Sequence, residues 1–146
     1  MHLTTSHRYA SQDELLTAAR GFHNRSVPVD VIVIDWFHWK IMGDWSFNPD
    51  AWPDPKAMVD ECRSYGMEIM VSVWPFTCPG SRSYDTLVKN NWVTTVAAAD
   101  GSRTDIGIET HGKDCRHVDA TNPDFRKCKD LDFFSLFFLL LLGFFF

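Results

Sequence analysis

The chain lacks the short motifs that mark the commonest catalytic chemistries. It contains no HExxH, no P-loop, no GxGxxG and no GxSxG, so a zincin protease, a nucleotide site and a serine-hydrolase elbow have no support. Cysteine is sparse. Cys62, Cys78, Cys115 and Cys128 form no CxxC pair, which excludes a dense disulfide framework and makes free thiols the expectation. His111, Cys115 and His117 fit no standard zinc spacing, and no metal or other cofactor is expected. Lys and Arg are scattered rather than gathered into a stripe, and the net charge is -5, so no nucleic-acid partner is expected. Met1 to Ala10 is polar with no apolar h-region, so no signal peptide is visible and the compartment stays open. No apolar run reaches the roughly 20 residues of a membrane-spanning helix, and no membrane partner is expected. At 146 residues the chain suits one domain and falls short of a full eight-fold βα barrel of about 250.

What is present is aromatic and strand-like. Five of the six tryptophans lie between Trp36 and Trp74, a cluster that suits either core packing or a sugar-binding surface. Val31 to Ile34 is an apolar, β-branched run that stops at Asp35, with Trp36, Phe37, His38 and Trp39 directly after it. Met67 to Phe76 repeats the build and ends near Trp74. Near-continuous apolar strands of this kind are covered on both faces, as in a parallel α/β sheet.

The segments between them read as helices. Ser11 opens a capping box, Ser-Gln-Asp-Glu, and Leu15, Leu16, Ala19 and Phe22 follow at helical spacing, which predicts a helix over 12–23. Residues 37–53 form an aromatic loop. Asp54-Pro55 starts a second helix, with Asp54 as N-cap and Gly66 beyond its C-terminus. The order helix, strand, loop, helix, strand is a βαβ pattern whose first strand is expected to be absent or degraded at Met1 to Thr5. A short helix is expected around Tyr84 to Lys89. A strand from Trp92 to Val96 enters a turn at Asp100-Gly101, residues 102–115 are expected to be irregular, and Asn122-Pro123 starts a last helix. Phe133 to Phe146 is an uncharged Phe/Leu run without periodicity. The expected division is 1–129 as the folded part and 130–146 as a non-native or read-through tail, ahead of a membrane tether.

Asp35 leads the candidates for chemistry. A carboxylate at the C-terminal end of a buried strand stands where barrel enzymes place binding and catalytic groups, although the same residue type also caps loops or pairs with arginine. Trp36, Trp39 and Trp74 offer apolar faces to a sugar ring and an N–H to an oxygen, against the ordinary alternative of core packing. Asp44, Asp50, Asp54, Asp85 and Asp119 are further carboxylates. Asp54 already has a capping role and Asp119 a turn role.

Together these residues resemble glycoside hydrolase family 31, which contains α-glucosidases, α-xylosidases and related retaining α-glycosidases. The resemblance runs from Arg8-Tyr9, Ser11-Gln12 and Glu14-Leu15-Leu16 through Pro28, Asp30 to Trp36, and Trp39. It continues in Trp45 and Phe47, in Trp52-Pro53-Asp54-Pro55 with Met58-Val59, and in Val71-Ser72-Val73-Trp74-Pro75. It ends with Asp119 to Asp124 and Arg126-Lys127, so it covers about residues 6–129. The "VIDW" and "SVWP" forms look most like the α-xylosidase branch. The resemblance implies an α/β fold, a partial (β/α)8 TIM barrel truncated before the nucleophile-bearing strand. It implies that Asp35 holds sugar hydroxyls, that Trp74 lines the same subsite, and that Trp36 and Trp39 sit in the loop shaping the pocket. The expected partner is an α-linked oligosaccharide or glycoside, with no cofactor; oligomeric state is open. The family's nucleophile is an aspartate in a W-x-x-D-x-x-E strand after the Thr-Asn-Pro helix, and its acid/base comes later still. Neither has a match here. Retaining hydrolysis needs two carboxylates about 5–5.5 Å apart, so the expectation for this chain alone is a sugar-holding part without turnover. The alternative is a truncated or mis-spliced product with at most residual sugar binding. With few barrel strands present, exposed sheet edges also predict poor solubility in isolation.

Overall fold

The alternation of apolar runs and capped helices folds as a parallel sheet. The computed structural model describes residues 3–4, 9–35, 38–97, 99–105, 107–110 and 113–127. These divide into two units, one holding the described residues up to 40 together with 46–73, the other holding 41–45 and the described residues from 74 onward. The expected apolar tail lies outside the described residues.

The first unit is βαβαβ. Its elements are β1 (Leu3–Thr4), α1 (Gln12–Asn24), β2 (Val31–Ile34), α2 (Pro55–Ser64) and β3 (Glu68–Val71). The sheet order is β1-β2-β3 with both pairings parallel. Val31 stands against Glu68 and Ile34 against Val71, and the ladder extends through Glu68 N–H to the Asp30 carbonyl and Ser72 N–H to the Ile34 carbonyl, both 2.8 Å. The presence of β1 corrects the expectation that the first strand is missing: Leu3 pairs with Val31 and Thr4 with Ile32. Two paired residues in a polar segment carry no readable periodicity, which is why the strand is invisible in the sequence.

Helix caps hold as the residue types require. The Ser11 hydroxyl accepts from Glu14 N–H at 3.2 Å, and the Glu14 carboxylate reaches back to Ala10 N–H at 2.7 Å. Asp54 accepts from Ala57 N–H at 2.9 Å, and the side-chain oxygen of Gln12 accepts from Asp54 N–H at 3.0 Å, tying the two helix starts together. At its other end α2 closes with Gly66 at φ 77, Gly66 N–H to the Arg63 carbonyl and Met67 N–H to the Cys62 carbonyl, the paired bonds of a Schellman stop. The core lies between helices and sheet. Leu15, Leu16 and Ala19 of α1 and Met58 and Cys62 of α2 cluster with Ile32, Ile34, Ile69 and Trp52. Each of the Leu, Ile and Met side chains contributes about 1.5–3 kcal/mol on burial. That core fixes β2, and with it the residue that follows Ile34.

The second unit carries β4 (Phe76–Thr77), α3 (Tyr84–Lys89), β5 (Thr95–Ala97), β6 (Arg103–Asp105), β7 (Gly107–Thr110), β8 (Lys113–His117) and α4 (Pro123–Lys127). The expected helices at 84–89 and after Asn122 are there, and the Asn122 side-chain oxygen accepts from Asp124 and Phe125 N–H at 2.9 and 3.2 Å. Residues 102–115 are not irregular as expected. They contribute β6, β7 and much of β8, in an antiparallel hairpin with β5 and an antiparallel sheet ordered β4-β8-β7. The Met67 to Phe76 run is also divided, and its strand is shorter than expected: β3 stops at Val71 instead of reaching Trp74, and β4 begins only at Phe76. Free thiols are corrected as well, since Cys78 and Cys115 are joined by a disulfide, while Cys62 is free and buried.

Candidate functional site

β2 delivers Asp35 at its C-terminal end. The strand is buried along Ile32, Val33 and Ile34, and the chain emerges at Asp35, which is half-buried. The carboxylate atom Oδ1 is buried and has no hydrogen-bond partner among the described residues. An acceptor atom left unmatched away from water costs about 1–3 kcal/mol, which a ligand donor reaching Oδ1 would recover.

His38 holds the turn after the strand. A carbonyl oxygen only accepts, so the 3.3 Å contact between His38 Nδ1 and the Asp35 carbonyl places the proton on Nδ1. The ring is fully buried. Burial, opposed by the contact with Asp35, lowers its pKa to about 4, so the imidazole is neutral at pH 7 and Nε2 presents a lone pair with no partner among the described residues. The ring lies edge-on to Trp39 at 4.4 Å and beside Phe47 at 5.5 Å, and Phe47 in turn meets Trp52 at 5.6 Å. Asn48 N–H donates to the His38 carbonyl at 2.6 Å. The loop after β2 is thus folded back on an aromatic nest around a neutral histidine. Trp39 is only 8% exposed, so its ring is a packing face toward His38. Trp36 lies outside the described residues.

Trp74 belongs to the second unit, where it is half-buried. Its carbonyl accepts from Trp45 Nε1 at 3.1 Å, and its ring meets Phe76 at 5.7 Å. The segment 41–45 is strapped to this stretch. Cys78 N–H donates to the Met42 carbonyl, the Ser83 hydroxyl donates to the Gly43 carbonyl at 3.1 Å, and Asp44 accepts from Arg82 N–H at 2.7 Å. Gly43 has φ 95, and a Cβ there would lie 2.6 Å from Thr77 Cα.

The other carboxylates have structural work. Asp44 and Asp54 are occupied as described, Asp50 pairs with Lys40 at 3.9 Å on the surface, and Asp119 accepts from Thr121 N–H and hydroxyl at 2.9 and 2.6 Å. Asp85 is exposed in the first turn of α3. The His111, Cys115, His117 set fails as a ligand group because the Cys115 sulfur is bonded to Cys78, and His111 lies outside the described residues. Among the described residues no three His, Cys, Asp or Glu side chains gather as a metal set. His38 is the residue that sequence reasoning passed over. The available signal was its place among aromatics three residues beyond a strand-ending aspartate.

A family model described as the TIM-barrel domain of the glycosyl hydrolases family 31 matches residues 1–139. The chain belongs to that family. It is 38% identical over 123 residues to an uncharacterized family 31 glucosidase of Pseudescherichia vulneris, covering 82% of this chain and 22% of that protein. It is 36% identical over 121 residues to alpha-xylosidase A of Aspergillus niger, covering 82% and 16%. A family 31 α-xylosidase from a soil metagenome, solved in complex with xylose, superposes with a TM-score of 0.71 at 38% identity over 82% of this chain and 17% of the other. The chain therefore spans about a fifth of the curated relatives it matches. Its β1-β2-β3 sheet is a stretch of the family's TIM-barrel fold.

Proposed function

We propose that this family 31 chain supplies the sugar-holding wall of a retaining α-glycosidase acting on α-xylosides or α-glucosides. One observation carries the reading: Asp35 ends a buried barrel strand with a buried carboxylate oxygen that has no partner among the described residues. In that role Asp35 accepts hydrogen bonds from hydroxyls of the bound sugar, and the neutral His38 fixes the turn that aims it. Trp36 and Trp39 shape the adjoining loop, and Trp74 offers a sugar an apolar face by the family resemblance. The relatives' names, an α-xylosidase and a glucosidase, support the substrate class.

Retention of configuration requires a nucleophile and an acid/base about 5–5.5 Å apart, with a covalent glycosyl-enzyme intermediate between two displacements. Asp44, Asp54 and Asp119 are engaged in caps and turns, so none of them suits either part. We therefore propose that residues 1–129 hold and orient the sugar and that both reacting carboxylates belong to later barrel strands. The 146-residue chain by itself releases no nitrophenol from aryl α-xyloside or α-glucoside, while the product of the full reading frame does. Transcript sequence after the Lys129 codon is the companion test. A frame restoring a W-x-x-D-x-x-E strand fits the enzyme, and its lack leaves a non-catalytic product with at most residual sugar binding.

A further inference from the structure

We infer that Cys78–Cys115 is a permanent structural cross-link, closed as the protein folds in an oxidising compartment outside the reducing cytosol. The pairing is written into the strand register. β4 meets β8 with Phe76 opposite His117 and Thr77 opposite Arg116, and one further step puts Cys78 opposite Cys115. Their Cα atoms are 4.1 Å apart, close to the roughly 4.5 Å of a pair that exchanges no ladder hydrogen bonds. Cys78 N–H indeed donates elsewhere, to the Met42 carbonyl.

The bond reinforces a short ladder. β4 contributes two residue pairs to β8, extended by Val118 N–H to the Pro75 carbonyl at 3.0 Å. The cross-link spans a sequence separation of 37 residues, enclosing α3, β5, β6 and β7. Closing so long a loop removes many conformations from the unfolded chain. Cys78 and Cys115 are 1% and 0% exposed. Exchange requires a thiolate to approach a sulfur in line, so burial blocks reduction in the folded state and makes the bond a fixture rather than a switch. Such bonds persist in oxidising surroundings and are rare in a reducing cytosol. Formation is ordinary exchange: the two thiols lose two protons and two electrons, which pass to the disulfide of an oxidoreductase or of oxidised glutathione, leaving that partner as its thiols. Cys62 stays outside this chemistry because burial, chiefly, pushes its thiol up to about 11.

The test maps the cysteines in protein recovered from its native source and quenched with iodoacetamide in denaturant without reductant. The inference expects a Cys78–Cys115 linked peptide and an alkyl group on Cys62, with Cys78 and Cys115 modified only after reduction. Folded protein held in millimolar reduced glutathione should keep the link, with denatured protein reduced at least about ten times faster. Cell fractionation should find it with secreted or lumenal material. Four alkylated cysteines without reduction, equal reduction rates in the two states, or recovery with cytosolic protein would each overturn the inference.

Discussion

His38 donates from Nδ1 to the backbone carbonyl of Asp35 at 3.3 Å while its ring is shut away from water. A neutral, buried imidazole therefore anchors the turn that presents a half-buried carboxylate. The histidine contacts the backbone of Asp35, while the side-chain Oδ1 of Asp35 has no partner among the described residues.

This arrangement makes stability depend on pH in a defined direction. The folded pKa of His38 is lowered from 6.5 to about 4, so between those values the unfolded chain binds more protons than the folded one. The contribution is whole above pH 6.5 and is lost as pH falls toward 4, by up to ~3 kcal/mol. Urea midpoints at pH 7.5, 5.5 and 4.0 should fall in that order. The variant His38→Phe should flatten the decline, and an equal decline in the variant would assign it to other groups.

Gly43→Ala should loosen the strap between 41–45 and the stretch after Trp74. The substitution sets a Cβ against backbone atoms of Phe76, Thr77 and Cys78 at a positive φ, none of them a flexible side-chain end. A loss of about 2–4 kcal/mol in urea unfolding is expected. A change under about 0.5 kcal/mol would show that the segment moves aside at little cost.

Ser26→Gly should stabilise. Ser26 stands just past the end of α1 with φ 54, and the Ser26 and Val27 N–H groups donate to the His23 and Phe22 carbonyls at 3.0 Å. That is the stop Gly66 makes after α2, but with a side chain in the left-handed region. Glycine should raise stability by about 0.5–1 kcal/mol in equilibrium unfolding. A loss would mean that the serine side chain earns its place through another contact.

How much of this was legible follows from where the signals are local. The α1 and α2 caps, the β2 and β3 runs and the Asn122-Pro123 helix start are each written within a few neighbouring residues, and the structure has them. β1 and the β6–β8 strands were not legible, because two paired residues or a polar hairpin leave no apolar period to read. The Cys78–Cys115 bond depends on the register of β4 against β8, which no spacing of cysteines discloses. At the candidate site, Asp35 was readable from its strand end. His38 was not, because its role comes from burial and from one backbone oxygen.

The most direct test of the sugar-holding role is the kcat/KM of the full reading frame on aryl α-xyloside, measured for wild type and Asp35→Ala alongside their melting temperatures. Removing a half-buried carboxylate whose Oδ1 has no partner among the described residues should leave the melting temperature unchanged or higher. It should also cut kcat/KM by about 10- to 100-fold, the scale of a lost hydrogen bond between substrate and a carboxylate. A variant within about threefold of wild type, or a wild-type protein that releases no nitrophenol, would contradict the account.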